Sequence, residues 1–205
     1  MIEMNMATAV FFAALSILSA ISITKYLGKE YAWVNRKIIH FSIVPATLLY
    51  YFEEIPKEVF SLAALLFGIA QLYLHIKNGR LQWYQIDKNY GEVFFAFSAA
   101  IVAFFLPRQY ATALLLVMAI SDGVTGIIRF YYFRKRGYNV NLKKHWSGSV
   151  GYFFSSLLIA FFFLQSVSWC SKFLWSIILT FAEYQRFVDD NLSVPIVGIL
   201  IGSIL

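Results

Sequence analysis

From Met6 onward the chain is a succession of long apolar runs separated by short polar segments, a pattern that few folds can accommodate. About 20 apolar residues cross the hydrocarbon core of a bilayer as a helix, and lipid admits only helices and closed barrels, because every backbone polar group must be paired internally. The runs are Met6–Thr24, Ile38–Phe52, Val59–Ile76, Glu92–Leu106, Ala111–Phe133, Val150–Ser166, Phe173–Phe187 and Leu192–Leu205. They predict an all-α fold, a polytopic membrane helical bundle of seven or eight transmembrane helices, forming one domain over residues 1–205. The count turns on the last run, about 21 Å long at 1.5 Å per residue, which needs a thin bilayer or shielding by its neighbours. With 60% hydrophobic and only 14% charged residues, a soluble domain is excluded.

The basic residues orient the bundle. Lys25 and Lys29 follow the first apolar run rather than precede it, which predicts an N-terminus outside and a basic flank in the cytoplasm. With eight spans the inner loops then hold 14 of the 17 lysines and arginines, leaving Lys57, Arg108 and Lys172 outside. The net charge of +6 therefore lines one membrane face, where anionic headgroups attract it, and does not form a nucleic-acid stripe. Cys170 is the single cysteine, so no disulfide is available, and His40, His75 and His145 do not have zinc-site spacing.

Within the fifth run lies Ser121-Asp122-Gly123-Val124-Thr125-Gly126. A charge at that depth costs about 2.5–3.5 kcal/mol on insertion scales, so Asp122 is expected to face a protein-lined or watery cavity. Thr125, Gly126 and Arg129 fall three, four and seven residues further on, on the face that Asp122 occupies. Gly123 and Gly126 leave room for another helix or a ligand against the backbone; the plainer reading is a helix-packing motif with Asp122 satisfied by a neighbouring cation.

Other groups collect on the same predicted inner face. Arg36-Lys37-x-x-His40 opens the second span, either as a positive-inside anchor or as a phosphate contact with His40 deeper. Glu92 starts the fourth span, where a carboxylate suits the helix dipole; near Asp122 it would be a second metal or proton-handling group. Lys143 and Lys144 precede Gly148 and Ser149 at the start of the sixth span, where helix amides and a lysine can bind an anion. Asp189-Asp190-Asn191 before the last span is either a helix cap or part of a magnesium site, since that ion prefers oxygen ligands. No Walker A sequence occurs.

These motifs, in this order from Arg36 to about Pro195, resemble the membrane-embedded CTP-dependent polyprenol kinases, the family of dolichol and phytol kinases. Arg36-Lys37-x-x-His40 is similar to the family's Arg-Lys-x-x-His, and Ser121-Asp122-Gly123 to its Gly-Asp-Gly. Lys144 to Ser149 is similar to its Lys-Ser/Thr-x-Glu-Gly-Ser element, and Asp190-Asn191-Leu-Ser-Val-Pro to its Asp-Asn-Leu-Thr-Val-Pro element. The chain departs from the family at Ser121, His145 and Ser147.

The resemblance implies transfer of the CTP γ-phosphate to the hydroxyl of a long isoprenoid alcohol, with Mg2+ or another divalent cation. It implies Asp122 and Lys144 as catalytic residues, and Asp122 and Asp190 as metal ligands. Arg36, Lys37, His40, Arg129, Lys143, Gly148 and Ser149 would then hold nucleotide phosphates. Glu92, Gly123, Gly126 and Asn191 would serve substrate binding or structure, and an apolar groove between spans would take the isoprenoid. The expected partners are CTP, the alcohol and membrane lipids. A cytidylyltransferase making a CDP-lipid, and a small transporter using Asp122 as an ion site, remain as alternatives.

Overall fold

A computed structural model describes residues 4–78, 82–85, 90–134 and 144–202. Among them all regular structure is helical: α1 (Met6–Leu27), α2 (Ala32–Phe41), α3 (Ile43–Tyr51), α4 (Lys57–Asn78), α5 (Gly91–Phe105), α6 (Arg108–Leu116), α7 (Asp122–Tyr132), α8 (Trp146–Phe163), α9 (Trp169–Tyr184) and α10 (Asp190–Gly202). Among the described residues four helices are long and apolar enough to cross a membrane: Met6–Leu27, Lys57–Lys77, Arg108–Tyr132 and Trp146–Phe163. Two shorter apolar helices, Gly91–Phe105 and Asp190–Gly202, accompany them.

Local chemistry explains where the helices begin and end. Asn5 caps α1 by accepting from the Ala7 N–H at 3.0 Å, and Gly28, at φ 79°, ends it in a conformation side chains resist. The run Ile38–Phe52, expected as one span, is instead two helices meeting at Ser42. Pro45 has no N–H to give the Phe41 carbonyl four residues back, so the ladder is interrupted at that point. Ser168 caps α9 by accepting from the Ser171 N–H at 3.1 Å.

The segment Arg108–Tyr132 is the central post, 78% buried against 17–33% for the other three long helices. It joins α6 to α7 through a π-helical turn, Val117–Ser121, ending one residue before Asp122. Single π turns inside α-helices occur often at functional sites. Helices α3, α5, α8 and α10 pack around this post. Its buried face, Ala111 to Ala119, anchors a core that includes Tyr50, Tyr110, Tyr152, Trp175 and Leu179. Two of its buried polar groups are paired in series: the Trp175 indole N–H donates to the Tyr110 hydroxyl (2.7 Å), which donates to the Gly198 carbonyl (2.6 Å).

Pro195, inside α10, removes the N–H that the Asn191 carbonyl would accept in a regular helix. The Ser98 hydroxyl of α5 donates to that carbonyl at 2.9 Å instead. One proline thus ties the start of α10 to α5, beside the acidic residues that precede it.

Candidate functional site

Asp122 lies about 15 Å along the helix from Tyr132, well inside the apolar segment. It is 9% exposed, and its Oδ2 accepts from Lys37 Nζ at 2.7 Å, with His40 Nδ1 3.1 Å away. Lys37 Nζ also donates to the Asp122 carbonyl at 3.2 Å. Both side-chain contacts converge on Oδ2; Oδ1 makes no hydrogen bond among the described residues.

The glycines account for this geometry. A Cβ on Gly126 would sit 2.5 Å from Lys37 Cε, and one on Gly123 2.4 Å from Phe41 Cζ. Bare backbone at these positions lets α2 lie against α7 closely enough for Lys37 to reach back to Asp122. Trp33 stacks on Phe130 at 5.1 Å and fixes the same pair of helices, while His40 stacks on Phe95 of α5 at 4.7 Å. Lys37, expected as a phosphate contact, is 8% exposed and engaged with Asp122.

A second cluster adjoins the first. Arg129, one turn from the end of α7, places Nη2 3.4 Å from Glu183 Oε1. Lys144 donates to the Glu183 carbonyl, with its Nζ 3.8 Å from Glu183 Oε1 and 3.3 Å from Asp190 Oδ2. Asp122, Glu183 and Asp190 line one small cavity with Met118, Tyr152, Asn191 and Val194. Its free space is about 10 Å³, roughly that of a single water molecule. The Tyr152 hydroxyl and Arg129 Nε are buried donors without hydrogen-bond partners among the described residues, and so is Arg36 Nε.

The remaining predicted residues take several positions. The acidic pair before α10 divides its work: Asp189 Oδ1 accepts the Asn191 N–H at 2.9 Å as a cap, and Asp190 meets Lys144. Asn191 also donates its side-chain amide to Asp189 at 3.0 Å. Gly148 N–H donates to the His145 carbonyl at 3.0 Å, so that amide is not free for phosphate. Gly148 is instead a packing position: an added Cβ would lie 2.9 Å from Arg129 Cγ and Thr125 Cγ2, and Thr125 Oγ1 donates to the Gly148 carbonyl at 3.1 Å. The Ser149 hydroxyl is buried and unpaired among the described residues.

His145 Nδ1 accepts the Ser147 N–H at 3.3 Å, supplying the cap of α8 that a serine or threonine would otherwise provide. Glu92, in the first turn of α5, places Oε2 3.9 Å from His75 Nε2. Lys143 lies outside the described residues.

Glu183 was not among the expected residues, although its signal was present. It is a carboxylate in an apolar helix, 2% exposed, and the insertion penalty that singles out Asp122 applies equally to it.

Between α7 and α8 runs an apolar groove of about 490 Å³ lined by Val124, Ile128, Trp146, Val150, Phe154 and Leu158, among others. Ser147 and Gly151 complete its floor. An added Cβ on Gly151 would meet Ile128 Cδ1 at 2.2 Å.

Among the described residues no three histidine, cysteine, aspartate or glutamate side chains converge as a metal cage. The donor set still fits Mg2+, which binds through one or two carboxylates and completes its shell with water and substrate phosphate oxygens. Asp122 and Asp190 offer such oxygens at one cavity. Compared with protein-family models, curated proteins and solved structures, the chain matches none.

Proposed function

We propose that this chain is a membrane-embedded lipid kinase that transfers the γ-phosphate of CTP to the hydroxyl of an isoprenoid alcohol. The observation that carries the reading is the shared cavity: Asp122, Glu183 and Asp190 line it, Glu183 and Asp190 meet Lys144, Glu183 meets Arg129, and the Tyr152 hydroxyl and Arg129 Nε are buried donors without an acceptor among the described residues. Unpaired buried donors next to cations are what an entering anion would satisfy.

In this reading the bundle crosses the membrane eight times, its shorter apolar helices shielded by their neighbours, with the N-terminus outside and the site at the cytoplasmic face. Lys144, Arg129 and Arg36 neutralise phosphate charge. Asp122 offers Oδ1 either to the ion or to the proton of the alcohol, held in place by Lys37 and His40 through Oδ2. Asp190 is the second oxygen ligand. Bound Mg2+ would neutralise phosphate oxygens and so favour the displacement.

The alcohol oxygen attacks the γ-phosphorus, the bond from γ-phosphorus to the β,γ-bridging oxygen breaks, CDP leaves, and the hydroxyl proton is released. Phosphoryl transfer of this kind requires positioning and charge neutralisation more than covalent help from the protein. The groove along α7 and α8 offers the isoprenoid a lipid-facing bed next to the site. CTP itself and the isoprenoid class rest on the motif resemblance.

The test is an assay of purified protein with labelled CTP, offered geranylgeraniol and, separately, phosphatidic acid, then all four nucleotides. Labelled isoprenyl monophosphate is the expected product. Label in a CDP-lipid would replace the kinase with a cytidylyltransferase, and no nucleotide-dependent product would leave an ion site at Asp122.

A further inference from the structure

We infer that Glu183 is a positioning residue of this site: its buried carboxylate holds Arg129 and Lys144 together beside the cavity and yields Lys144 to an incoming phosphate. The identity of the displacing anion rests on the kinase reading; the holding of the two cations does not.

Glu183 sits in the last turn of α9, where backbone carbonyls lack intrahelical partners and the helix end is negative. A carboxylate 2% exposed at that end is retained only if cations meet it. Two do, from different elements: Arg129 from the last turn of α7, at 3.4 Å, and Lys144 from the entry to α8, at 3.8 Å. Glu183 thereby fixes three helices around one point.

The two contacts differ in kind. Arg129 donates a hydrogen bond to Oε1, whereas Lys144 gives its hydrogen bond to the Glu183 backbone carbonyl and faces the carboxylate only as a charge. Asp190, 3.3 Å away, shares Lys144. The cavity admits about one water, so a triphosphate enters only as Lys144 parts from these carboxylates. A phosphate group accepts charge-assisted hydrogen bonds through three oxygens and competes well for an ammonium that the Glu183 carboxylate holds by charge alone. Arg129, bound more directly, stays with Glu183 and marks where the phosphate stops.

The experiment uses the detergent-purified full chain as wild type, Glu183→Gln and Glu183→Asp. Acylation of Lys144 by an amine-reactive ester is followed by peptide mass spectrometry, with exposed Lys25 as internal reference. Glu183→Gln is expected to raise Lys144 labelling several-fold relative to Lys25, and Glu183→Asp to restore most of the protection. Equal Lys144 labelling in all three proteins overturns the inference, whatever the activity.

In the CTP and geranylgeraniol assay, Glu183→Gln is expected to lower kcat by about tenfold while the KM for CTP stays constant or falls, because a competing carboxylate has gone. A raised KM at unchanged kcat, or no kinetic change, overturns the role. Should wild type phosphorylate no alcohol with any nucleotide, the kinase reading fails and the labelling alone decides whether Glu183 holds Lys144. If Glu183→Gln does not fold, Glu183→Asp carries both readouts, with greater Lys144 labelling and lower kcat than wild type expected.

Discussion

Lys37 reaches across Gly126 to donate to Asp122 Oδ2 at 2.7 Å, joining two residues 85 positions apart in the chain. Neither charge is stable at its depth without the other. Removing one partner of a buried pair leaves an uncompensated charge and typically costs about 3–5 kcal/mol.

Lys37→Met and Asp122→Asn are therefore each expected to lower the unfolding temperature in detergent, and the double variant to lose less than the sum of the two. Thermal melts of the four proteins measure this; additive losses would show that the pair is not coupled. Asp122→Asn that remains folded should also lose at least about 100-fold in turnover, the scale on which preorganised charge contributes to phosphoryl and acyl transfer.

Lys144→Ala removes a charge-assisted contact to phosphate, of about 1.5–3 kcal/mol. The expected outcome is a rise of about 10- to 100-fold in the KM for CTP. Steady-state kinetics against nucleotide concentration decide it, and an unchanged KM would remove Lys144 from the phosphate site.

Gly126→Ala places a methyl group where Lys37 Cε now lies, 2.5 Å from the new Cβ. The lysine end is flexible, so the fold is expected to survive, with an overpacking cost of about 1–3 kcal/mol. Turnover should fall because Lys37 no longer holds Asp122. A variant with wild-type turnover and wild-type melting would show that the close approach of α2 has no bearing on the site.

Cys170 is exposed and is the single cysteine of the chain, which makes orientation directly measurable. Eight crossings from an outside N-terminus put the first turn of α9, which carries Cys170, outside. A membrane-impermeant maleimide should label Cys170 on intact cells without permeabilisation. Labelling that requires permeabilised cells would invert the topology or change the number of crossings.

Much of the site was legible because lipid penalises charge so heavily that any ionisable residue in an apolar run stands out. Asp122 stands out that way, and the Arg36-Lys37-x-x-His40 motif lies on the same predicted face, although the His40 contact itself appears only in the structure. Glu183 obeyed the same rule and was overlooked because its run begins and ends with ordinary boundary residues. That the cation which satisfies Asp122 is Lys37 could not be read, since the pairing depends on how α2 packs across Gly123 and Gly126. Pro45 carried the signal for the break at Ser42, but the apolar run around it masked its effect on the backbone. The division of labour between Asp189 and Asp190 likewise depends on the exact start of α10, the least legible property of any helix.

The π turn at Val117–Ser121 sets the rotational phase of everything that follows it. Wound as an unbroken i to i−4 ladder, the same residues would turn Asp122 about 100° around the post, 360° divided by 3.6 residues. Its carboxylate would then face neither Lys37 nor the cavity, although every side chain of the site would still be present. The chemistry of this molecule therefore depends on a single surplus residue in its most buried helix.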